Sequence, residues 1–576
     1  MKRILFALIL LSSCAESSKD YDFITHFEKS EGLETATYEQ TIAYYVNLAE
    51  VYSTISIEAI GETDSGKPLH LVTYNPDASF NFDKIRGDKQ ILLINNGIHP
   101  GESDGIDATM MLFRDLAQQK ISTPQQTVIA TIPIYNIGGS LNRNSTSRTN
   151  QNGPKAYGFR GNARNYDLNR DFIKSDTKNA KTFAQLFHKV QPDVFIDNHV
   201  SNGADYQYIL THLFTQHNKL GGDLGEYLNT EMMPKLEDKL SEKDWDITPY
   251  VNVFNRTPDN GFSQFMDSPR YSTGYTTLFN TLGMMVETHM LKPYKQRVDG
   301  TYELMKSMID IVEVDGSKIK TLRSEANETY NQDMTYPLKW TIDTTRSTTL
   351  EFKGYEGQII PSTLTGGQRL KYDKSKPFTK SVKYQNFYKP SLSIDIPKAY
   401  VIPQSWHTVI ELLQLNNVEM STFEKDTTLI VESYRIANYN TRRSPYEGHY
   451  LHYNTEVKRN EASIIFKKGD YIVHTDQKAM RYLIETLEPQ GVDSFFNWNF
   501  FDTILQQKEG FSPYVWEDKA EQWLRANPKL RIDYNLKKTF DSTFAKNTYA
   551  QLDWIHKNSP NYEKAHMQYP IYRLKH

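Results

Sequence analysis

The chain has 576 residues, enough for several domains, and its 38% hydrophobic content can fill sizeable cores. Its 66 basic and 70 acidic side chains nearly cancel, to a formal charge of −4, which argues against a protein held on nucleic acid by phosphate contacts. The chain contains one cysteine, Cys14, so an intrachain disulfide is excluded, as are a cysteine nucleophile and a cysteine metal site in the folded domains.

The N-terminal stretch MKRILFALILLSSC has the layout of a secretory signal: basic residues, an apolar run over residues 4–11 and small residues before Cys14. The apolar run is too short to span a bilayer, which takes about 20 residues. Its end, LSSC, resembles a bacterial lipobox and implies cleavage before Cys14 and lipid on that residue. An ordinary signal peptide cut elsewhere is the alternative. We therefore expect a signal peptide over 1–13, a tether over 14–35, and an exported protein of the bacterial cell envelope, anchored by lipid and facing the periplasm or the exterior.

From residue 36 the hydrophobic pattern alternates between helices and strands. A helix is predicted for YEQTIAYYVNLAEVY, two strands for ISIEAIGETDSGKPLHLVTY, and buried strands for KQILLINNGIH, TVIATIPIYN and PDVFIDNHV. Helices are predicted for SDGIDATMMLFRDLAQQ and TKNAKTFAQLFHKVQ. Residues 138–165 are rich in Gly, Asn, Ser and Arg and predict a long loop, which in a compact domain is usually functional or disordered. This order predicts an α/β domain over 36–325, with a mixed, mostly parallel sheet flanked by helices.

The rest of the chain changes character. Short β-rich runs over residues 326–400 predict a small linker domain, and strand–helix–strand patterns over 401–576 predict a second α/β unit with an accessory role. AYVIPQSWHTVIELLQLNNVEM faintly resembles the α/β units of glutamine-amidotransferase-like domains, but the lack of a cysteine there excludes amidotransferase chemistry. The aromatic run SFFNWNFFDTILQQKEGFSPYVWE either lines a binding face or packs in a core.

Three predicted strand ends carry residues suited to metal chemistry. In ILLINNGIHPGESDG, His99 and Glu102 follow a buried strand, and ligand sites in α/β sheets form beyond the carboxyl ends of strands. A histidine and a carboxylate are two of the three protein ligands of a catalytic zinc, and His199 in PDVFIDNHVSNG offers the third. Such a site also needs a general base, which LGMMVETHM offers as Glu287, after an apolar run where an unpartnered carboxylate would be costly. Each residue alone could be structural, but together they predict a site for one Zn²⁺ ion.

The sequence carries HPGE at 99–102, FRGNARNYDLNRDF at 159–172, the later single His199 and VET at 286–288. On these residues the chain resembles the zinc metallocarboxypeptidase family, which includes the pancreatic carboxypeptidases and bacterial zinc carboxypeptidases. The resemblance covers roughly residues 36–325. It implies that His99, Glu102 and His199 bind zinc. It also implies that Glu287 takes a proton from the attacking water and passes it to the leaving amine.

The same resemblance implies a set of substrate-binding residues. Asn169 and Arg170 would hold the terminal carboxylate of a peptide, because a guanidinium pairs with a carboxylate through two parallel hydrogen bonds. Arg160 matches the arginine that stabilises the oxyanion of the tetrahedral intermediate. Tyr271 matches a mobile tyrosine that covers the substrate. The rivals for these last two roles are Arg164 and Tyr275, respectively.

Three other polar residues near the motifs have open roles. Asp197 either orients a metal ligand from behind or caps a loop. Asp171 can simply brace its loop, and His289 is expected to be structural. The sequence therefore predicts a zinc carboxypeptidase acting on peptides outside the cytoplasm. The alternatives are a zinc amidohydrolase of the same fold, acting on peptidoglycan stem peptides or acylated amino acids, and a non-catalytic binding lipoprotein, against which the presence of every ligand and of Glu287 argues.

Overall fold

The computed structural model describes residues 21–330 and 334–575. The predicted signal peptide and the lipid-bearing Cys14 lie outside the described residues. Within the described part of the chain, no helix is both long enough and apolar enough to cross a membrane.

The N-terminal half is built around one mixed β-sheet with helices packed against it. The strands of this half are β1 (Ile55–Glu62), β2 (Pro68–Tyr74), β3 (Gln90–Asn95), β4 (Thr127–Ile132), β5 (Val194–Ser201), β6 (Leu210–Phe214), β7 (Ile247–Pro249), β8 (Phe262–Ser263) and β9 (Leu282–His289), and all but β8 belong to this sheet. Its helices are α1 (His26–Lys29), α2 (Tyr38–Val51), α3 (Phe82–Asp88), α4 (Asp104–Ala117), α5 (Ile137–Leu141), α6 (Lys178–Val190), α7 (His217–Leu220), α8 (Gly222–Tyr227), α9 (Met233–Ser241), α10 (Ser272–Thr277) and α11 (Tyr294–Glu328).

The eight-stranded sheet has the order β1-β2-β4-β3-β5-β9-β6-β7. Neighbours run parallel from β4 through β3 and β5 to β9, and again between β6 and β7, whereas β1–β2, β2–β4 and β6–β9 are antiparallel. Strands β3, β4 and β5 are buried along their whole length, which explains why they are continuous apolar runs in the sequence. The predicted fold class, a mixed and mostly parallel sheet flanked by helices, is confirmed.

Strand register places the predicted functional residues together. Parallel pairing sets Asn95, the last residue of β3, beside Asp197 of β5. It also sets His199 of β5 beside Glu287 of β9. The sequence pattern places His199 and Glu287 just beyond their strands, but β5 and β9 each continue two residues further. The backbone of both residues is therefore fixed by the hydrogen bonds of the sheet rather than lying in a loop.

The predicted tether over residues 14–35 is wrong for its described part, residues 21–35. Phe23 and Phe27 are buried in the core of the N-terminal half. Helix α1 begins with a capping box between Thr25 and Glu28, and Arg114 of α4 donates to the Glu28 carboxylate. The stretch is polar in composition, but two aromatic anchors are enough to dock it onto α4 and its neighbours.

Beyond residue 334 the chain forms three further sheets and a set of helices. The strands are β10 (Thr335–Ile342), β11 (Thr348–Pro361), β12 (Gln368–Gln385), β13 (Tyr388–Asp395), β14 (Ala399–Ile402), β15 (Ser421–Thr422), β16 (Thr427–Thr441), β17 (His452–Phe466), β18 (Tyr471–His474) and β19 (Tyr572–Leu574). The helices are α12 (His407–Leu415), α13 (Met480–Leu487), α14 (Pro513–Ala526), α15 (Pro528–Phe540), α16 (Ser542–Lys546) and α17 (Thr548–Lys557). The hairpin β11–β12 adds to β8 of the N-terminal half, and β15-β18-β14-β19-β16-β17 form an antiparallel sheet.

The two halves share a hydrophobic core. One buried cluster joins Phe172 and Tyr275 of the N-terminal half to Tyr482 and Trp498 of the C-terminal half. The first part of the aromatic run predicted either to line a binding face or to pack belongs to this cluster. The fully buried aromatic residues of this run are Phe495, Phe496, Trp498 and Phe501.

Candidate metal centre and substrate cavity

His99, Glu102 and His199 form a compact group of potential metal ligands. One ligand atom from each lies within 4.8 Å of the others. Their exposed fractions are 4%, 4% and 3%, and all three line the cavity above them. Glu102 lies in the turn before α4, where its N–H donates to the carbonyl of His99 at 2.7 Å. The structure thus brings together the three residues that the strand ends predicted.

Both imidazoles are oriented by carboxylates behind them. His99 Nε2 lies 3.0 Å from Asp167 Oδ1, and His199 Nε2 lies 2.9 Å from Asp197 Oδ2. Their Nδ1 atoms lie 3.1 Å and 3.0 Å from the two oxygens of Glu102. His99 Nδ1 is buried and makes no hydrogen bond of good geometry. Carboxylates of this kind fix the tautomer and ring orientation of metal-ligating histidines, and two nitrogens with one carboxylate are a zinc donor set.

Glu102 is held in its charged form by its neighbours. Burial opposes its ionisation, but His99, Arg148 and His199 together keep its pKa well below the usual range. Arg148 Nη2 donates to Glu102 Oε1 at 2.9 Å, and the N–H of Val200 donates to the other oxygen at 3.0 Å. A permanently ionised carboxylate is the form that binds a cation.

Glu287 faces the same cavity from β9. Burial raises its pKa to about 8, and the charges of Glu102 and Asp197 add to this effect while His199 opposes it. A carboxylate whose pKa lies near neutrality is a better proton acceptor than an ordinary surface glutamate. This environment distinguishes Glu287 from Glu102, which is the stronger acid of the two.

Asn169 and Arg170 lie on a short 3-10 turn, Leu168–Arg170, that Asp167 caps by accepting from the Asn169 N–H at 2.9 Å. Asn169 Oδ1 accepts from the Ser272 N–H at 3.1 Å. The Arg170 guanidinium lies 4.5 Å from the ring centroid of Tyr271. All three predicted substrate residues, Asn169, Arg170 and Tyr271, line the cavity.

The rival Tyr275 lies elsewhere. Its side chain is fully buried in the shared core, and its hydroxyl donates to Asn416 Oδ1 at 2.5 Å. It therefore has no access to the cavity in this structure, whereas Tyr271 does.

The arginines of the long loop separate in the same way. Arg160 lines the cavity, binds Asp167 Oδ2 through Nε at 3.0 Å and approaches Glu102 Oε1 to 3.6 Å. Arg164 lies outside the cavity, where its guanidinium is 3.9 Å from Asp64. Arg148, to which the sequence pattern assigns no role, also lines the cavity. The composition of residues 138–165 is the only signal that could have pointed to it.

The remaining polar candidates have structural partners. Asp171 is fully buried and accepts from Lys174 Nζ at 2.6 Å and from the Thr177 hydroxyl at 2.6 Å, so it braces the loop after the 3-10 turn. His289 is buried against Asp205 at 3.2 Å and does not line the cavity. The motif FRGNARNYDLNRDF gives no role to Asp167. This residue nevertheless contacts His99, Arg160 and Asn169 of the site.

The cavity over these groups has a volume of about 590 Å³, within the range of small-molecule sites. Its charged lining residues are Glu102, Arg148, Arg160, Arg170 and Glu287. Its large apolar and aromatic lining residues are Phe159, Leu213, Tyr250, Phe254, Phe265, Tyr271, Met285 and Met290. The cavity thus combines a group of potential metal ligands, a second carboxylate, three cations and a wall of apolar and uncharged polar side chains.

No family model matches the chain. The chain is 22% identical to Carboxypeptidase 2 of Trichophyton rubrum over 490 residues, covering 81% of this chain and 84% of that one. It is 23% identical to Carboxypeptidase 2 of Trichophyton equinum over 448 residues, covering 72% of this chain and 74% of that one. The predicted resemblance to carboxypeptidases is confirmed by these relatives, and a match of this length extends well beyond residues 36–325.

Solved structures that superpose on part of the chain include two carboxypeptidases. A metallo-carboxypeptidase from Burkholderia cenocepacia is 16% identical, with 49% of this chain and 70% of that chain covered and a TM-score of 0.37. Carboxypeptidase A from Helicoverpa armigera is 12% identical, with 49% of this chain and 75% of that chain covered and a TM-score of 0.38.

Proposed function

We propose that this protein is a zinc-dependent carboxypeptidase that removes the C-terminal residue of peptides. The observation that carries the proposal is the meeting, in one cavity, of the His99–Glu102–His199 group, Glu287 and the Asn169–Arg170 pair. The relatives named Carboxypeptidase 2, matched over most of the chain, support the coarser assignment to carboxypeptidases.

His99, Glu102 and His199 would hold the zinc ion. When bound, zinc supplies Lewis-acid chemistry: it polarises the scissile carbonyl and lowers the pKa of the attacking water. The fit rests on the donor set and on Asp167 and Asp197, which leave both Nδ1 atoms directed at Glu102. A neutral imidazole that donates from Nε2 has its lone pair on Nδ1, which is the form a metal requires.

Glu287 would act as the general base and then as the general acid. Its carboxylate would accept a proton from water as the water oxygen bonds to the carbonyl carbon and the C=O π electrons move to the carbonyl oxygen, which gives a tetrahedral carbon with an oxyanion. The protonated Glu287 then gives the proton to the leaving amine as the C–N bond breaks. Its raised pKa suits both transfers, because a group that titrates near neutrality both accepts and returns a proton readily.

Arg170 and Asn169 would recognise the free carboxylate that marks a peptide's end. Arg170 is held at 4.5 Å over the Tyr271 ring, and Asn169 is fixed by Ser272, so both groups are oriented before substrate arrives. Arg160 is the proposed oxyanion partner. Arg148 is a second candidate for that role, because it is less exposed than Arg160 and contacts Glu102 directly.

Purified protein, assayed for metal content and for hydrolysis of peptides with free or amidated C-termini, tests the proposal. We expect about one zinc per chain and hydrolysis of the free peptides alone. Glu287→Gln should keep the metal and lose at least about a thousandfold in kcat, whereas Arg164→Gln, outside the cavity, should change kcat by less than about twofold. Stoichiometric zinc without hydrolysis of any peptide would overturn the proposal, and turnover of acylated amino acids alone would point to an amidohydrolase.

We further propose that the protein is exported and anchored in the bacterial cell envelope by lipid on Cys14. The support is the sequence pattern of residues 1–14. Fractionation tests it: Cys14→Ser should move the protein out of the membrane fraction. Unchanged membrane association of that variant would contradict the lipid anchor.

A further inference from the structure

We propose that Glu447 and Asp493, both in the C-terminal half, are positioning residues for the terminal-carboxylate subsite. The inference rests on the proposed function and deepens it, because it gives residues beyond 400 a part in substrate recognition. Neither residue lines the cavity, so neither is expected to touch the peptide. Each instead holds backbone or side chains that carry the cavity residues.

Glu447 is hydrogen-bonded to the start of the 3-10 turn that carries Asn169 and Arg170. Its Oε2 accepts from the N–H of Asp167 at 2.9 Å. The side chain of Asp167 in turn accepts from the Asn169 N–H and contacts His99. A displacement at the Asp167 backbone would therefore reach both the carboxylate subsite and a metal ligand.

The loop that carries Glu447 is held tightly against this turn. Glu447 has φ of +49°, a left-handed conformation that a non-glycine residue keeps only where its surroundings impose it. The next residue, Gly448, also has positive φ, and a Cβ there would lie 2.5 Å from the Tyr166 hydroxyl. His449 Nε2 lies 2.7 Å from Asp176 Oδ2. The loop tip thus contacts residues on both sides of the turn.

Asp493 binds the stretch of chain on the opposite side of the subsite. It is fully buried and accepts from the Arg270 backbone N–H at 3.0 Å and from Arg270 Nε at 2.8 Å. Arg270 is followed by Tyr271, which lies under the Arg170 guanidinium, and by Ser272, whose N–H binds Asn169. Residues of the C-terminal half therefore fix both stretches of chain between which the terminal carboxylate would bind.

Coverage by the relatives is consistent with a shared role for the two halves. The match to Carboxypeptidase 2 of Trichophyton rubrum spans 81% of this chain, so it includes much of the C-terminal half. The buried cluster shared by both halves also means that the subsite is built on an interface rather than on one domain.

The test compares an acetylated dipeptide ending in phenylalanine with its C-terminal amide, on the full-length protein. Affinity of the metal-free protein for both peptides is measured by calorimetry, together with KM and kcat of the zinc-loaded protein. We expect Glu447→Ala to weaken binding of the free acid about five- to tenfold, which corresponds to the loss of one ordinary hydrogen bond, and to leave binding of the amide unchanged. Alanine keeps the same backbone cost at positive φ, and Glu447→Gln, which retains an acceptor oxygen, should bind the acid within about twofold of wild type.

Asp493→Asn should also reduce the preference for the free acid, with KM rising more than kcat falls. Its matched control is Glu488→Gln, which removes another fully buried carboxylate whose partners, Arg573 and Tyr400, both lie in the C-terminal half. That control should lower the Tm and leave the acid-to-amide preference unchanged. If Asp493→Asn does not fold, Glu447→Ala decides the matter alone.

The outcomes separate this inference from the proposed function. Wild-type protein that prefers the free acid but hydrolyses nothing would refute the peptidase assignment, and the binding data would still judge the two positioning residues. Wild-type protein without that preference would overturn the inference. So would Glu447→Ala and Asp493→Asn variants that lose Tm but keep the preference, since their role would then be structural only.

Discussion

His199 and Glu287 lie side by side on neighbouring parallel strands, in register across β5 and β9. The pairing fixes a metal-ligand candidate and a base candidate at one level of the sheet. Glu102, from the turn before α4, and Asp197, from β5, converge on the same point. Burial, together with the proximity of these negative charges, raises the pKa of Glu287.

The first prediction concerns pH. Glu287 must be ionised to accept a proton, so kcat/KM should fall as the pH drops below its pKa and level off above it. In metal-free protein that pKa is raised to about 8. A bound cation favours the carboxylate, so the acidic limb of the loaded enzyme should have its midpoint below 8. A pH–rate profile measures this, and an identical limb in the residual activity of Glu287→Gln would assign it to another group.

The same shift predicts a pH-dependent stability for the metal-free protein. The folded state holds the Glu287 proton to higher pH than the unfolded chain, where a glutamate has its ordinary pKa of 4.5. Between these two values the folded state binds more protons, so this residue lowers the free energy of unfolding as pH rises. Glu287→Gln should remove that contribution and be more stable than wild type near pH 8, as urea unfolding at several pH values would measure. Equal stability of the two proteins at every pH would contradict it.

A third prediction concerns the carboxylates behind the histidines. Asp167→Asn and Asp197→Asn should each weaken zinc binding about 10- to 100-fold, because an amide does not hold the imidazole tautomer and orientation as a carboxylate does. Competition with a chelator measures the affinity. Asp205→Asn is the matched control: it removes the carboxylate partner of His289, outside the cavity, and should leave zinc affinity unchanged. Wild-type zinc affinity in all three variants would refute the orienting role of Asp167 and Asp197.

The local part of this site could be predicted from sequence, but its long-range partners could not. His99, Glu102, His199 and Glu287 each follow or end an apolar run, so strand patterns are sufficient to group them. Arg148 and Asp167 contact Glu102 and His99 from 46 and 68 residues away, through an irregular loop without periodicity.

The errors in the sequence interpretation have similar causes. The polar composition of residues 21–35 predicts a tether, although Phe23 and Phe27 dock this stretch onto the core. Likewise, nothing local to Glu447 or Asp493 indicates that they contact residues 280 and 223 positions earlier in the chain. Contacts at such separations depend on how the two halves pack, which hydrophobic periodicity does not encode.

A fourth prediction separates the arginines. Arg148→Ala and Arg160→Ala should both lower kcat, and the residue that contacts the oxyanion should cost about 100- to 1000-fold with little change in KM. Because Arg148 donates directly to Glu102, its loss should weaken zinc binding more than the loss of Arg160, which reaches the metal ligands mainly through Asp167. Steady-state kinetics and metal titration of the two variants, with Arg164→Ala as the control outside the cavity, distinguish them. Normal kcat in both variants would remove arginine from the mechanism.

The last prediction concerns the preferred C-terminal residue. Among the described residues, the acidic side chains that line the cavity are Glu102 and Glu287, both of which the mechanism uses. The rest of the wall combines apolar groups such as Leu213, Phe265 and Met285 with uncharged polar ones such as Asn202 and Asn252, so no carboxylate remains to pair with a lysine or arginine side chain. Peptides ending in phenylalanine or leucine should therefore have kcat/KM at least about tenfold above peptides ending in lysine, because an unpaired buried ammonium is costly. A peptide library that differs only in its last residue measures this preference. Met285→Asp should reduce the difference in kcat/KM by adding a carboxylate to the cavity wall. A wild-type preference for lysine would show that the side chain of the last residue lies outside this cavity.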